Sequence, residues 1–182
     1  MTVRRGKVHD YLGMTLDYST RRLVKISMID YVKDIIAAWD KLCAEMESDG
    51  FKLKYRKPKG IPTAAPSNLF IVNEDSIKLP ETQKAGFHNV VAKALYVAKR
   101  ARPDIAVAIS YLTTRVRNPD IDDWSKLHHL IEYLRSTIDM PLTLGETSGG
   151  VLRWFVDAAF AVHPNMRGHS GGALTLGISF PI

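Results

Sequence analysis

The sequence contains almost no cysteine and no long apolar run, and both absences narrow the class of protein. Cys43 is the single cysteine in 182 residues, which excludes an internal disulfide framework and a cysteine-rich zinc site. No apolar segment approaches the roughly 20 residues of a membrane-spanning helix, and no apolar core of a signal peptide follows the basic opening MTVRRGKV. We therefore expect an intracellular protein, cytoplasmic or nuclear, that is neither secreted nor membrane-bound.

What the sequence does have is an ordinary globular composition with an excess of positive charge. Hydrophobic residues make up 46% of the chain and charged residues 24%, which suffices for one full core or two small ones. The 25 lysines and arginines outnumber the 19 acidic residues and give a net charge of +6. Such an excess favours an anionic partner, and a nucleic acid is the first candidate.

Hydrophobic periodicity predicts an α+β protein with three consecutive segments. Alternating apolar residues over 8–28 predict a β-hairpin, and a return to strands is predicted after Pro141, with a turn at Gly149-Gly150. Between them, helical periodicity predicts four helices, over 28–50, 81–100, 103–117 and 120–138. The later strands are predicted over 142–144, 151–160 and 171–176. The predicted domains are 1–30, 31–148 and 149–182.

Two basic clusters in the central segment are candidates for contacts with a phosphate backbone. The first lies in a proline-rich connector without acidic residues and consists of Lys52, Lys54, Arg56, Lys57 and Lys59. The second contains one acid, Asp104, and the basic residues Lys93, Lys99, Arg100, Arg102, Arg115 and Arg117. Such clusters can line a groove for nucleic acid, and Tyr55 and Tyr111, which lie among them, are candidates for stacking on bases or sugars. The alternative for each residue is an ordinary solvated side chain.

Asp157 is the sharpest candidate for chemistry, because it ends an apolar strand and two glycines follow. Metal-dependent nucleases hold Mg²⁺ with several converging acids, so one carboxylate cannot form such a site, and a turn or cap role is the alternative. The adjacent Asp122 and Asp123 open a periodic helix and are predicted to cap it. His128 and Glu132 share a helix face but supply only two ligands, so polar residues beside a core stripe are expected there.

Four stretches resemble copia-type LTR retrotransposon polyproteins in order and in spacing. They are HDYLGMTLDYS, VAKALYVAKRARPDIAVAISYLTTRVRNP, KLHHLIEYLRST and WFVDAAFAVHPNMRGHSGG, and they cover almost the whole chain. The resemblance implies a reverse transcriptase segment that follows the polymerase active site and runs into ribonuclease H. Residues 1–30 would then be a palm-end hairpin, 31–148 the helical thumb and connection, and 149–182 the first strands of an incomplete ribonuclease H-like fold.

The resemblance also implies roles for individual residues. Tyr11, Leu12 and Gly13 match the primer-grip hairpin that positions the primer terminus, and Asp157 matches the first metal-binding carboxylate of ribonuclease H. No Tyr-x-Asp-Asp polymerase box precedes the hairpin, and the other ribonuclease H acids do not follow Asp157. We therefore expect a polyprotein fragment that binds template-primer as an RNA·DNA hybrid. By itself it is expected to be inactive and to bind no Mg²⁺ stably.

Two further hypotheses stay open from the sequence. The parent family acts as RNA-directed DNA polymerase and ribonuclease H, so the chain could be a subunit completed in trans by the missing polymerase and ribonuclease H parts, with Asp157 as a Mg²⁺ ligand. Alternatively, the chain is a retroelement relic without function. The charge clusters also do not choose between RNA·DNA hybrid, duplex DNA and single strands.

Overall fold

A computed structural model describes residues 5–50, 61–145, 151–163 and 165–176, and these form a mixed α and β structure. The described residues contain four α-helices and two small antiparallel sheets, as the predicted α+β class requires. They divide into two units: one combines the segment up to Met28 with the segment from Met140 onwards, and the other is Ile29–Asp139. Among the described helices, none has the length and apolarity needed to cross a membrane.

The first sheet has four antiparallel strands in the order β1-β2-β3-β4. The strands are Val8–Tyr11, Met14–Asp17, Leu23–Ser27 and Leu142–Gly145. Leu12 (φ 51°) and Gly13 (φ 77°) join β1 to β2, and two successive positive φ angles are typical of a type I′ hairpin turn. The predicted hairpin over 8–28 is therefore three strands, because Leu12 lies in a turn rather than on a strand with Met14.

The helical unit contains α1 (Ile29–Ser48), α2 (Glu81–Ala98), α3 (Ala106–Arg115) and α4 (Ile121–Ser136), which confirm the four predicted helices. A 3₁₀ turn, Pro103–Ile105, leads into α3, since the fixed φ of proline suits a first helical turn. The helices pack α1 on α2 and α4, and α3 on α2 and α4. Their apolar stripes meet in one core, whose almost fully buried side chains include Trp39, Phe87, Ile109, Trp124 and Leu127.

Paired acids fix the start of α4. The carboxylate of Asp120 accepts a hydrogen bond from the N–H of Asp123 at 2.9 Å, and Asp123 accepts one from the N–H of Asp120 at 3.2 Å. This reciprocal capping box satisfies N–H groups that have no partner within the helix. Capping by Asp123 is therefore confirmed, and the N-cap residue itself is Asp120.

The second sheet is a two-stranded hairpin of β5 (Leu152–Ala159) and β6 (His169–Leu176). In its register Trp154 lies opposite Leu174 and Asp157 opposite Gly171, which places the two pairs on opposite faces, since side chains alternate along a strand. All β5 side chains are exposed, including Trp154 at 67%. The two strands fit the predicted ones but do not by themselves define a ribonuclease H-like fold, and the predicted Gly149-Gly150 turn lies outside the described residues.

Candidate nucleic-acid interface

Asp157 lies on β5 with its side chain exposed. Its carboxylate Oδ1 accepts a hydrogen bond from the N–H of Ala158 at 2.9 Å. In the part of the chain that the structure describes, no three His, Cys, Asp or Glu side chains converge where they could hold a metal ion. A nuclease site for Mg²⁺ needs several converging acids, so the described residues do not fit a resident Mg²⁺ at Asp157. A metal-binding role for Asp157 stays a prediction.

The predicted primer-grip residues form the tip of the β1–β2 hairpin. Tyr11 is 59% exposed and Leu12 57% exposed, and Gly13 completes the tight turn between the strands. An exposed tip is what a contact with a nucleic-acid strand requires. The contact itself stays a prediction.

The first basic cluster falls outside the described residues. This applies to Tyr55 and to all five cations of the connector, namely Lys52, Lys54, Arg56, Lys57 and Lys59. Their contribution to nucleic-acid binding stays a prediction from the sequence.

Arg102, a member of the second cluster, is part of the protein interior. It is 1% exposed, and its Nη2 lies 2.7 Å from Oδ2 of Asp104. The guanidinium also donates to the backbone carbonyl of Thr137 at 2.9 Å and to its hydroxyl at 2.7 Å. Because these partners join the turn before α3 to the end of α4 and occupy the charge, we withdraw Arg102 from the predicted phosphate contacts.

Arg115 is also engaged within the protein. Its Nε donates to both carboxylate oxygens of Asp123 at 2.9 Å, and its Nη2 lies 3.2 Å from Asp120. Two acids therefore balance this charge, which makes Arg115 a support of the α4 cap. Tyr111 is 1% exposed and lies in the core, so the predicted stacking of Tyr111 on bases is corrected as well.

Four basic residues of the second cluster keep their charge without an acidic partner among the described residues: Lys93, Lys99, Arg100 and Arg117. Lys93 lies in the second half of α2, and Lys99 and Arg100 directly follow that helix. All three therefore lie in the last two turns of α2 or in the two residues after it. We call them the α2 basic end.

Arg117 lies near the other end of α2. Two residues further along, Pro119 accepts a backbone hydrogen bond from Leu79 at 3.0 Å, and Leu79 lies two residues before the beginning of α2. The 18 residues of α2 span about 27 Å at 1.5 Å per residue. The cluster that is continuous in sequence is therefore divided in space, and a nucleic acid would have to extend over about this length to contact both groups.

The α2 basic end also contains an aromatic cluster that the sequence patterns do not predict. Tyr31, in the first turn of α1, stacks on Tyr96 of α2 with ring centroids 5.2 Å apart and an interplanar angle of 29°. The guanidinium carbon of Arg100 lies 3.5 Å from the Tyr96 ring centroid. The spacing of Lys93, Tyr96 and Arg100 already places these three on one helix face, whereas the partner Tyr31 is distant in sequence.

Known proteins similar to this chain come from retrotransposons. The chain is 25% identical over 177 residues to a transposon Ty5-1 protein of Saccharomyces cerevisiae, covering 97% of this chain and 52% of that protein. It is also 25% identical over 178 residues to the retrovirus-related Pol polyprotein from transposon TNT 1-94 of Nicotiana tabacum, covering 93% of this chain and 12% of that protein. No family model and no solved structure matches the chain.

These similarities confirm the predicted relation to retrotransposon polyproteins, and they extend over nearly all of the chain. The chain spans about half the length of the first relative and a small part of the second. Similarity at this level supports a segment of a retroelement polyprotein. The finer assignment to thumb, connection and ribonuclease H stays a prediction.

Proposed function

We propose that this chain is a nucleic-acid-binding segment of a retrotransposon polyprotein that holds template-primer, an RNA·DNA hybrid, by its phosphate backbone. The proposal rests on the α2 basic end, where Lys93, Lys99 and Arg100 have no acidic partner among the described residues. Cations of this kind contact phosphates irrespective of base sequence. The similarity to retrotransposon proteins supports the same class of ligand.

The contrast with the other arginines of the cluster supports a surface dedicated to an anion. Arg102 and Arg115 are each matched with carboxylates at 2.7 to 3.2 Å, so the protein neutralises the charges that it uses internally. Lys99 is exposed and Lys93 partly exposed, with no such match in the described part. A phosphate backbone supplies the missing negative charge.

Binding without catalysis is the activity that we propose for the chain by itself. Nuclease chemistry at Asp157 would need further acids and Mg²⁺, and the described residues bring no such acids to it. We infer that any cleavage at the exposed carboxylate of Asp157 would depend on acidic residues beyond those that the structure describes.

Binding of the full chain to a labelled RNA·DNA hybrid across a salt series tests this function. We expect affinity to fall steeply with salt, because binding of phosphates releases counterions. The double variant Lys93→Gln/Lys99→Gln should bind more weakly and reduce the steepness of the salt dependence by about two phosphate contacts. Lys84→Gln is the matched control, since Lys84 lies on the same helix but pairs with Glu81 at 3.1 Å.

The outcomes of this titration are distinct. An equal loss per removed charge in Lys84→Gln and in the double variant would show that net charge alone drives binding, and the α2 basic end would lose its role. Affinity that does not change with salt would overturn the proposal. With Mg²⁺ present, cleavage of the hybrid that Asp157→Asn abolishes would instead establish the nuclease candidate.

A further inference from the structure

The cluster of Tyr31, Tyr96 and Arg100 joins the beginning of α1 to the end of α2 and carries a positive charge. The two rings stack at 5.2 Å, and the guanidinium lies over the Tyr96 ring at 3.5 Å. Nη1 of Arg100 also donates to the backbone carbonyl of Tyr96 at 3.2 Å, which fixes the plane of the guanidinium. Two flat rings and one flat cation are therefore held in one preformed group.

This group differs from the other large aromatic side chains of the helical core. Trp39, Trp124, Phe87 and Tyr111 are at most 1% exposed, and their rings complete the core. Tyr31, Tyr96 and Arg100 each keep part of the side chain exposed. Aromatic and guanidinium surface next to unmatched positive charge is the chemistry that recognises an unpaired nucleobase with its phosphate.

We propose that Tyr31, Tyr96 and Arg100 form a stacking site for an unpaired nucleobase, in a single-stranded overhang that continues from the bound hybrid. The base lies against the exposed aromatic and guanidinium surface, and Lys93 and Lys99 contact the phosphates on either side of it. The inference rests on the proposed nucleic-acid binding and adds a preference for a junction between paired and unpaired strands.

Helix geometry places the charges correctly for such a ligand. Lys93 precedes Tyr96 by three residues and Arg100 follows it by four, so all three lie on one face of the α2 end. An acid close to this cluster is Asp34, which is exposed on α1. Burial raises the pKa of the Tyr31 hydroxyl, and the negative charge of Asp34 adds to this effect. Its charge opposes a phosphate, and we expect Asp34→Asn to strengthen binding of every nucleic acid by a small factor.

The test compares a blunt RNA·DNA hybrid with the same hybrid carrying a single-stranded DNA overhang, in which 2-aminopurine replaces one base at a time. We expect the full chain to bind the overhang hybrid about tenfold more tightly, the effect of one base–aromatic stack. At one overhang position, binding should quench the 2-aminopurine fluorescence. The wild-type chain alone gives this result, so it does not depend on the folding of any variant.

Two variants separate stacking from support of the helices. Tyr31→Phe preserves the ring and should keep the preference for the overhang. Tyr31→Leu keeps an apolar side chain between α1 and α2 but removes the ring, so it should bring the ratio of overhang affinity to blunt affinity close to one. Circular dichroism and thermal unfolding of both variants confirm that the comparison is made between folded proteins.

The possible failures are distinguishable. If both hybrids bind equally with a steep salt dependence and no overhang position is quenched, the stacking site is refuted and the backbone-binding function stands. Should neither hybrid bind in a salt-dependent manner, the proposed function itself fails. A preference that Tyr31→Leu retains would also overturn the assignment to this cluster.

Discussion

Arg100 and Arg102 lie two residues apart, but their surroundings give them opposite uses. Arg102 is buried and is held by Asp104 and by both oxygens of Thr137. Arg100 lies on a partly exposed ring. A buried guanidinium must be paired because desolvating its charge is costly, whereas a partly exposed one can exchange water for phosphate. Two arginines of the same sequence cluster are therefore expected to differ in their contribution to nucleic-acid binding.

His128 gives a prediction for the dependence of stability on pH. Its Nδ1 accepts a hydrogen bond from Nε1–H of Trp39 at 3.2 Å, and burial lowers the pKa of the imidazole below its ordinary value of 6.5. The unfolded chain therefore binds more protons than the folded chain in the window below pH 6.5. The stability contributed by neutral His128 is fully present above about pH 6.5. It is lost as the pH falls below 6.5 towards the lower pKa of the folded imidazole.

We expect the melting temperature of the wild-type chain to fall on acidification from about pH 7.5 to about pH 5. In His128→Gln the fall should be smaller, since the amide oxygen can still accept from Trp39 and does not titrate. His88→Gln, which removes an exposed histidine from α2, is the control and should follow the wild type. Parallel pH profiles for all three proteins would contradict the assignment to His128.

Gly86 allows helix α2 to approach helix α1 closely. A Cβ at this position would overlap Cδ1 of Leu42 and lie 2.9 Å from its Cδ2 and 3.1 Å from its Cγ. Gly86→Ala therefore combines a helix-propensity gain of about 1 kcal/mol with an overpacking cost of about 1 to 3 kcal/mol. We expect a net loss of up to about 2 kcal/mol in the free energy of unfolding.

A double-mutant cycle with Leu42→Ala tests this close contact. Leu42→Ala alone should cost about 2 to 5 kcal/mol, but in that background Gly86→Ala should stabilise the protein by about 1 kcal/mol, because the obstruction is gone. Ala92→Gly, at an exposed position of the same helix, measures the difference in helix propensity between alanine and glycine alone. Urea unfolding gives the free energy of unfolding of each variant. Additive effects of the two substitutions would show that the helices are not in contact at this point.

The elements that sequence predicted well are those whose signal is local. The stripe of α4 and the paired acids at its start are visible within 20 residues, so both the helix and its cap were predictable. The turn at Leu12 was missed, because leucine rarely adopts a positive φ and its alternation with Met14 suggested a strand. The stack of Tyr31 on Tyr96 depends on the packing of two helices, and periodicity reports only which face is buried.

No pattern in the sequence predicts which strands pair when they are far apart along the chain. β4 comes after all four helices in the sequence but pairs with β3, so one sheet contains strands from both sides of the helical unit. The predicted domain boundaries near 30 and 148 follow changes of periodicity along the chain. A change of periodicity shows where helices begin and end, but it carries no information about which strands pair.

Among the residues that the structure describes, the β5–β6 hairpin presents an exposed apolar surface. Leu152, Trp154, Val156 and Leu174 share one face of the hairpin and are between 56% and 68% exposed. The described residues thus leave uncovered a continuous patch of the kind that usually marks an interaction surface or an aggregation liability. Long, flat, apolar strands with open edges also pair readily with other chains. We expect the purified chain to self-associate through this face as its concentration rises.

Trp154→Ser should shift the onset of self-association to a concentration on the order of tenfold higher, because one large apolar side chain no longer leaves water. Val107→Ser is the matched control, since Val107 is 47% exposed on α3 and lies in the other unit. Sedimentation velocity over a range of concentrations measures both variants beside the wild type. If Val107→Ser shifts the onset as much as Trp154→Ser, association is driven by general hydrophobicity and the hairpin face has no special part in it. A shift confined to Trp154→Ser identifies the face that a further polypeptide would have to cover.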